Sequence, residues 1–161
     1  STGGFTDCLL QKGAASVLGV DVGHGQVSLM LKDHPRLQVL EGVNARALSQ
    51  EDRVLKATPP EKFDLAVMDV SFISIELIIP ELKHFIKTSG HLLSLVKPQF
   101  EVGVDGVAKG GIVKDASLYL EVEKKIKSCC KESGFLVKDY FASSIEGKDG
   151  NHEFFVFAQK Q

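Results

Sequence analysis

Hydrophobic residues come in short dense runs, separated by longer stretches where they recur every three or four positions. A helix starts near Phe5. Residues 16–21 (SVLGVD) read as a strand, 25–33 as a helix closed by His34-Pro35, 37–40 as a short strand, and 48–56 as a weak helix ended by Pro59-Pro60. Residues 63–70 (FDLAVMDV) are almost continuously apolar, the mark of a strand buried on both faces. Residues 74–87 follow as a helix, with Ile75, Ile78, Ile79, Leu82, Phe85 and Ile86 at helical spacing, Ser74 as N-cap and Gly90 as stop. Residues 91–96 (HLLSLV) form another buried strand, broken by Pro98. A glycine-rich loop spans 99–114, and Asp115 caps a helix reaching Glu132, terminated by Gly134. Two last strands, 135–142 and 152–158, are joined by a polar turn holding Gly147, Asp149, Gly150 and Asn151.

Alternating strands and helices predict an α/β sandwich around a mostly parallel sheet. The last two strands have only a turn between them, so they pair antiparallel. A dinucleotide-binding fold would carry a parallel crossover at that point.

Composition narrows the picture. A chain of 161 residues suits one domain with a core of its own. With 43% apolar and 25% charged residues, it has the balance of an ordinary globular protein. A net charge of -2 does not advertise a nucleic-acid binder, although a basic patch can sit on a near-neutral domain. Cys8, Cys129 and Cys130 are odd in number with two adjacent, which is neither a disulfide framework nor a zinc-ligand spacing. Reduced thiols and a cytoplasmic location are the expectation. No apolar run approaches the ~18 residues of a spanning helix, so no membrane partner and no metal are expected.

Four places carry candidate chemistry. Ser1, Thr2, Gly3, Gly4, Phe5 and Thr6 form a glycine loop opening a helix, where backbone can approach a ligand and the helix N-terminus can face it; a frayed terminus with a helix cap is the alternative. Asp21, with Val22, ends the next strand and can accept hydrogen bonds from ribose hydroxyls, or simply face water. Asp69 ends the most apolar strand, as a group facing the site or as a cap on the following helix, and Lys97 ends the strand beside it. They can face one another above the sheet as an acid–base pair or as a plain ion pair. Glu153 opens the last strand among apolar neighbours, as a site residue or as an edge carboxylate in water.

The motifs STGGFTD, VDVGHGQ, MDVSFIS, LVKPQFE, AKGG (Ala108 to Gly111) and GNHEFF together resemble the TlyA family, hemolysin A-like proteins of the FtsJ type. The resemblance covers nearly the whole chain. It implies a Rossmann-like methyltransferase sandwich, S-adenosylmethionine as donor, and a ribose 2′-hydroxyl of ribosomal RNA in a ribosomal subunit as acceptor. The family's site is a Lys-Asp-Lys-Glu set, and Asp69, Lys97 and Glu153 match its last three members. Asp69 also falls in the cofactor region, and Asn44 with Val43 in the adenine region. The family's first lysine, its first and central strand, and a small N-terminal RNA-binding domain would all precede Ser1. The expectation is therefore a domain over 1–161 whose sheet has two unpaired edges and which alone is inactive. Three other readings remain at this stage: a nucleotide-binding oxidoreductase, a cytolysin of the kind the hemolysin label suggests, and a silent RNA-binding or ribosome-associated module.

Overall fold

A computed structural model describes residues 1–145, 147 and 150–161. Asp149 of the expected turn lies outside them. The described chain divides into two compact units, Ser1–Pro60 and Glu61–Gln161.

The first unit opens with α1 (Gly4–Gln11), then strands β1 (Val17–Asp21) and β2 (Leu37–Glu41), which pair in parallel. The expected helix over 25–33 is absent; the segment is a series of turns with three-residue hydrogen bonds, Leu31 N to Ser28 O and His34 N to Leu31 O. Its apolar residues cannot form a buried stripe. Leu31 is buried, but Leu29 and Met30 are 85% and 92% exposed, and Gly25 sits at φ +64°. The weak helix expected over 48–56 divides in two. A 3₁₀ turn, Ala45–Gln50, precedes α2 (Asp52–Ala57), and Glu51 ends one and caps the other by accepting from Arg53 N.

The second unit holds β3 (Phe63–Met68), α3 (Ile79–Leu82), β4 (Ile86–Val96), α4 (Ser117–Glu132), β5 (Phe135–Ala142) and β6 (Phe154–Lys160). Its sheet has the order β3-β4-β6-β5. β3 and β4 are parallel, and β6 is antiparallel to both neighbours, as the short final connection required. The core lies on β4, β6 and α4, where Leu92, Val96, Ile126, Val156 and Ala158 are all 0% exposed.

Four expectations fail here. β3 is not buried on both faces: Leu65 is 36% exposed, because among the described residues β3 has a partner on one side only. The helix expected over 74–87 breaks at Pro80, which has no N–H to give back to the preceding turn and clashes with its carbonyl. A 3₁₀ turn (Ile75–Leu77) and the four-residue α3 stand there instead, and the chain is already strand at Ile86. Gly90 is inside β4 rather than a helix stop; a Cβ there would meet Ile86 Cγ2 at 2.7 Å. β6 begins two residues later than expected, so Glu153 precedes the strand rather than opening it.

Candidate functional site

In the second unit, β3 and β4 run parallel, so the segments leaving their carboxyl ends emerge side by side. Asp69 stands one residue beyond β3 and Lys97 one beyond β4. Lys97 Nζ lies 2.7 Å from Asp69 Oδ1 and donates to Ser71 Oγ at 3.0 Å. The lysine side chain is 15% exposed and the aspartate 49%, so the ammonium is sheltered while the carboxylate faces outward. Glu153 completes the group. Burial pushes its carboxyl above the ordinary glutamate value; the Lys97 charge opposes that shift and the Asp69 charge adds to it. One cation thus has two carboxylates in its field, from three strand ends.

The segment between Asp69 and α3 carries a feature that motif reading missed. Phe72 is 91% exposed at φ +64°, a left-handed conformation costly for a bulky residue. Its ring is tilted against Phe100, centroid to centroid 5.1 Å. Such a strained conformation persists only where the surrounding structure holds it. Sequence offered only the position, two residues past a strand-end acid.

Glu101 holds these two segments together. Its carboxylate accepts from Ser74 Oγ at 2.6 Å and from Ile75 N at 2.9 Å, with Lys125 Nζ 3.6 Å away. The side chain is 1% exposed. Burial pushes its carboxyl above the usual range, against those hydrogen bonds and the Lys125 charge, while Glu76 adds to the rise. The glycine loop beyond it forms an open cleft of about 560 Å³, lined by Gln99, Phe100, Val104, Val107 and Lys109 among others.

The first unit presents groups of another kind. Gly3 is buried at φ +99°, and a Cβ there would lie 2.5 Å from Leu31 Cδ1, so only glycine fits. Gly4 starts α1, while Ser1 and Thr2 are exposed and Phe5 and Thr6 half-buried in its first turn. Asp21 ends β1 and accepts from Gly23 N at 2.7 Å. Val22 is 71% exposed beside it. Asn44 is exposed, but its Oδ1 is taken as a cap by Arg46 N at 3.0 Å, while Val43 is buried and its N–H donates to the Asp21 carbonyl. A glycine-only approach at a helix start and a carboxylate at the next strand end suit a nucleoside cofactor with a charged tail.

Among the described residues, no group of three or more His, Cys, Asp or Glu could hold a metal ion, and no helix is long and apolar enough to cross a membrane.

The FtsJ-like methyltransferase family model matches residues 1–160. The chain belongs to this family. It is 39% identical over 161 residues to the 16S/23S rRNA (cytidine-2′-O)-methyltransferase TlyA of Mycobacterium tuberculosis, covering 100% of this chain and 58% of that one. The crystal structure of a hemolysin-like protein from Lactococcus lactis superposes with a TM-score of 0.90 at 37% identity, over 100% of this chain and 74% of that one. A Listeria monocytogenes structure described as an S-adenosylmethionine-dependent methyltransferase shares the fold at 14% identity, TM-score 0.69, over 99% of this chain and 87% of that one. The chain spans a little over half the length of the first two curated relatives it matches, 54% and 58%. FtsJ-like membership and the antiparallel β6 leave no support for the oxidoreductase reading.

Proposed function

We propose that this FtsJ-like chain is the methyl-transfer part of an enzyme that uses S-adenosylmethionine to methylate a ribose 2′-hydroxyl of ribosomal RNA in the cytoplasm. The observation that carries this reading is Lys97, sheltered and 2.7 Å from Asp69, with the raised carboxyl of Glu153 in its field. The TlyA relative's named activity is 2′-O-methylation of cytidine in rRNA, and a sheltered lysine beside carboxylates is what hydroxyl activation needs.

Gly3, Gly4 and the first turn of α1 would hold the charged amino-acid portion of the cofactor, Asp21 its ribose hydroxyls, and the Val43–Asn44 backbone its adenine. The bound cofactor supplies an electrophilic methyl carbon whose sulfur leaves as a neutral thioether, so no leaving-group charge has to be neutralised. Lys97 donates to the acceptor oxygen and favours its negative character. Asp69 fixes the lysine. Glu153 orients the ribose or the lysine, and its raised carboxyl can take up the hydroxyl proton. Phe72 offers the target nucleotide an apolar face, and Lys109 and Lys114 of the glycine loop offer charge to phosphate. Holding reacting groups in position is worth up to ~7–11 kcal/mol.

The decisive measurement is methyl transfer to ribosomal RNA by the full-length protein carrying Lys97→Ala. Turnover should fall by roughly 10²–10⁴-fold, the range for losing a proton-handling group, with S-adenosylmethionine affinity by calorimetry unchanged. Undiminished turnover removes Lys97 from the mechanism.

A further inference from the structure

Two residues before Glu153, Asn151 is 2% exposed. A buried primary amide must have its polar atoms satisfied, and this one spends both on the backbone of a single loop. Its Nδ2 donates to Gly111 O at 2.9 Å, and its Oδ1 accepts from Val113 N at 3.1 Å. Its own carbonyl accepts from Gly147 N at 2.9 Å. The loop it grips is the glycine-rich flap after Lys97, closed on itself by the antiparallel bridge between Val107 and Val113 and by Ala108 N donating to Ile112 O at 2.8 Å. Gly110 and Gly111 turn there at φ +99° and +82°, and both are exposed. Within the flap only Val113, beside the Asn151 contact, is buried. The flap has little apolar anchorage of its own, and the amide ties it to the segment that leads into β6.

That tie ends next to the acid. Glu153 O accepts from Ser143 N at 2.8 Å, which joins its backbone to the end of β5. Its carboxylate lies close enough to Gly147 that a Cβ there would meet Oε1 at 2.8 Å. The Asn151 side chain and the Glu153 carboxylate therefore share one short stretch of backbone, gripped on one side by the flap.

We propose that Asn151 is a positioning residue: by clamping the 107–113 flap it sets where the Glu153 carboxylate stands relative to Lys97, so that flap docking and acid placement are one event. This rests on the methyl-transfer reading given above. An RNA that presses the flap down places Glu153, and a released flap lets it drift. Asp at this position cannot substitute, because an acceptor-only carboxylate would face the Gly111 carbonyl.

The test uses the full-length protein and two independent readouts. In the first, the Glu153 carboxyl carbon is titrated by NMR in wild type and Asn151→Ala, with Lys97 and Asp69, the charged groups facing it, left intact. The clamp predicts that the midpoint moves down toward the ordinary glutamate value in Asn151→Ala. An unmoved midpoint overturns the proposal whether or not the protein methylates RNA. In the second, turnover is measured for Asn151→Ala, Glu153→Gln and the double variant. If Asn151 acts through Glu153, the single Asn151→Ala change lowers kcat about tenfold without raising KM for S-adenosylmethionine, and the double variant is no slower than Glu153→Gln. Multiplying effects overturn the proposal. Wild type that fails to methylate any RNA refutes the methyl-transfer reading instead and leaves the titration to decide on the clamp.

Discussion

The two units of this chain are built to different thickness and carry different chemistry. In residues 1–60 the sheet is two strands, every strand position is at least partly exposed, and the buried apolar side chains are Leu10, Leu31, Val43, Leu48 and Val54. In 61–161 a four-stranded sheet packs on a sixteen-residue helix, and β4 and α4 alone bury more apolar side chains than the whole first unit. In the proposed reading the thin unit holds groups that bind: backbone at a glycine turn and one carboxylate accepting hydrogen bonds. The same reading gives the thick unit groups that move or steady a proton: Lys97, Asp69 and Glu153. A site residue whose work depends on tenths of an ångström gains from a rigid scaffold. One that only needs to present N–H groups and an oxygen can sit on a pair of strands, although such a pair is marginal on its own.

The largest effect that could break this division is at Asp21. If the first unit is concerned with the donor alone, Asp21→Ala should weaken S-adenosylmethionine binding by roughly 10–100-fold, the loss of hydrogen bonds to a charged acceptor at about 1.5–3 kcal/mol. At saturating cofactor, turnover should stay near wild type. Calorimetry and steady-state kinetics read the two quantities separately. A collapse of kcat with unchanged affinity would place Asp21 among the groups acting on the acceptor and erase the contrast with Lys97.

A somewhat smaller effect is expected at Phe72. Phe72→Gly removes a ring worth about 1–3 kcal/mol to a stacked base, so RNA affinity should fall by roughly 5- to 100-fold. Folding stability should hardly change. The left-handed backbone at φ +64° costs a non-glycine residue about 1–2 kcal/mol. Glycine recovers that, and the recovery offsets the lost contact with Phe100. A large drop in Tm with RNA affinity intact would make the ring a packing element.

The same contrast marks how far the sequence could be read. In the second unit the apolar runs over β3, β4 and β5 and the long α4 were legible because buried strands and an amphipathic helix must show their periods. The proximity of Asp69 and Lys97 followed, since parallel neighbours bring their carboxyl ends to one edge. What failed there was local: one proline split the 74–87 segment, and β6 slid by two residues because the polar turn before it is anchored by Asn151 rather than by strand pairing. In the first unit, residues 25–33 read as a helix, but helical spacing is a reason to fold only when there is a core to meet, and of their apolar side chains only Leu31 is buried. Phe72 and Asn151 were illegible for another reason: exposure and side-chain-to-backbone bonding leave no period in the sequence.

The smallest expected effect separates the units by their carboxyl groups. Those held below their ordinary values include Glu51 in the first unit and Asp64 and Asp115 in the second, whereas among the described residues the raised ones, Glu101 and Glu153, lie in the second. The signs are opposite in consequence. A lowered carboxyl gives stability that is present above its unfolded value and lost as pH falls through the folded one. A raised carboxyl such as Glu101 gives a contribution fully present below the unfolded value near 4.5, and lost as pH rises through the higher folded one. The acid limb of the whole protein mixes the two, so the informative quantity is the Tm of wild type minus that of Glu101→Gln at each pH. Glutamine keeps an acceptor for Ser74 and Ile75 and cannot ionise. The difference should therefore be most favourable to wild type below pH 4.5 and decline as pH rises. A difference that grows with pH would mean that Lys125 and the two donors outweigh burial. The segments carrying Asp69 and Lys97 would then be held together by a stabilising charge, not by one the fold tolerates in order to keep them in register.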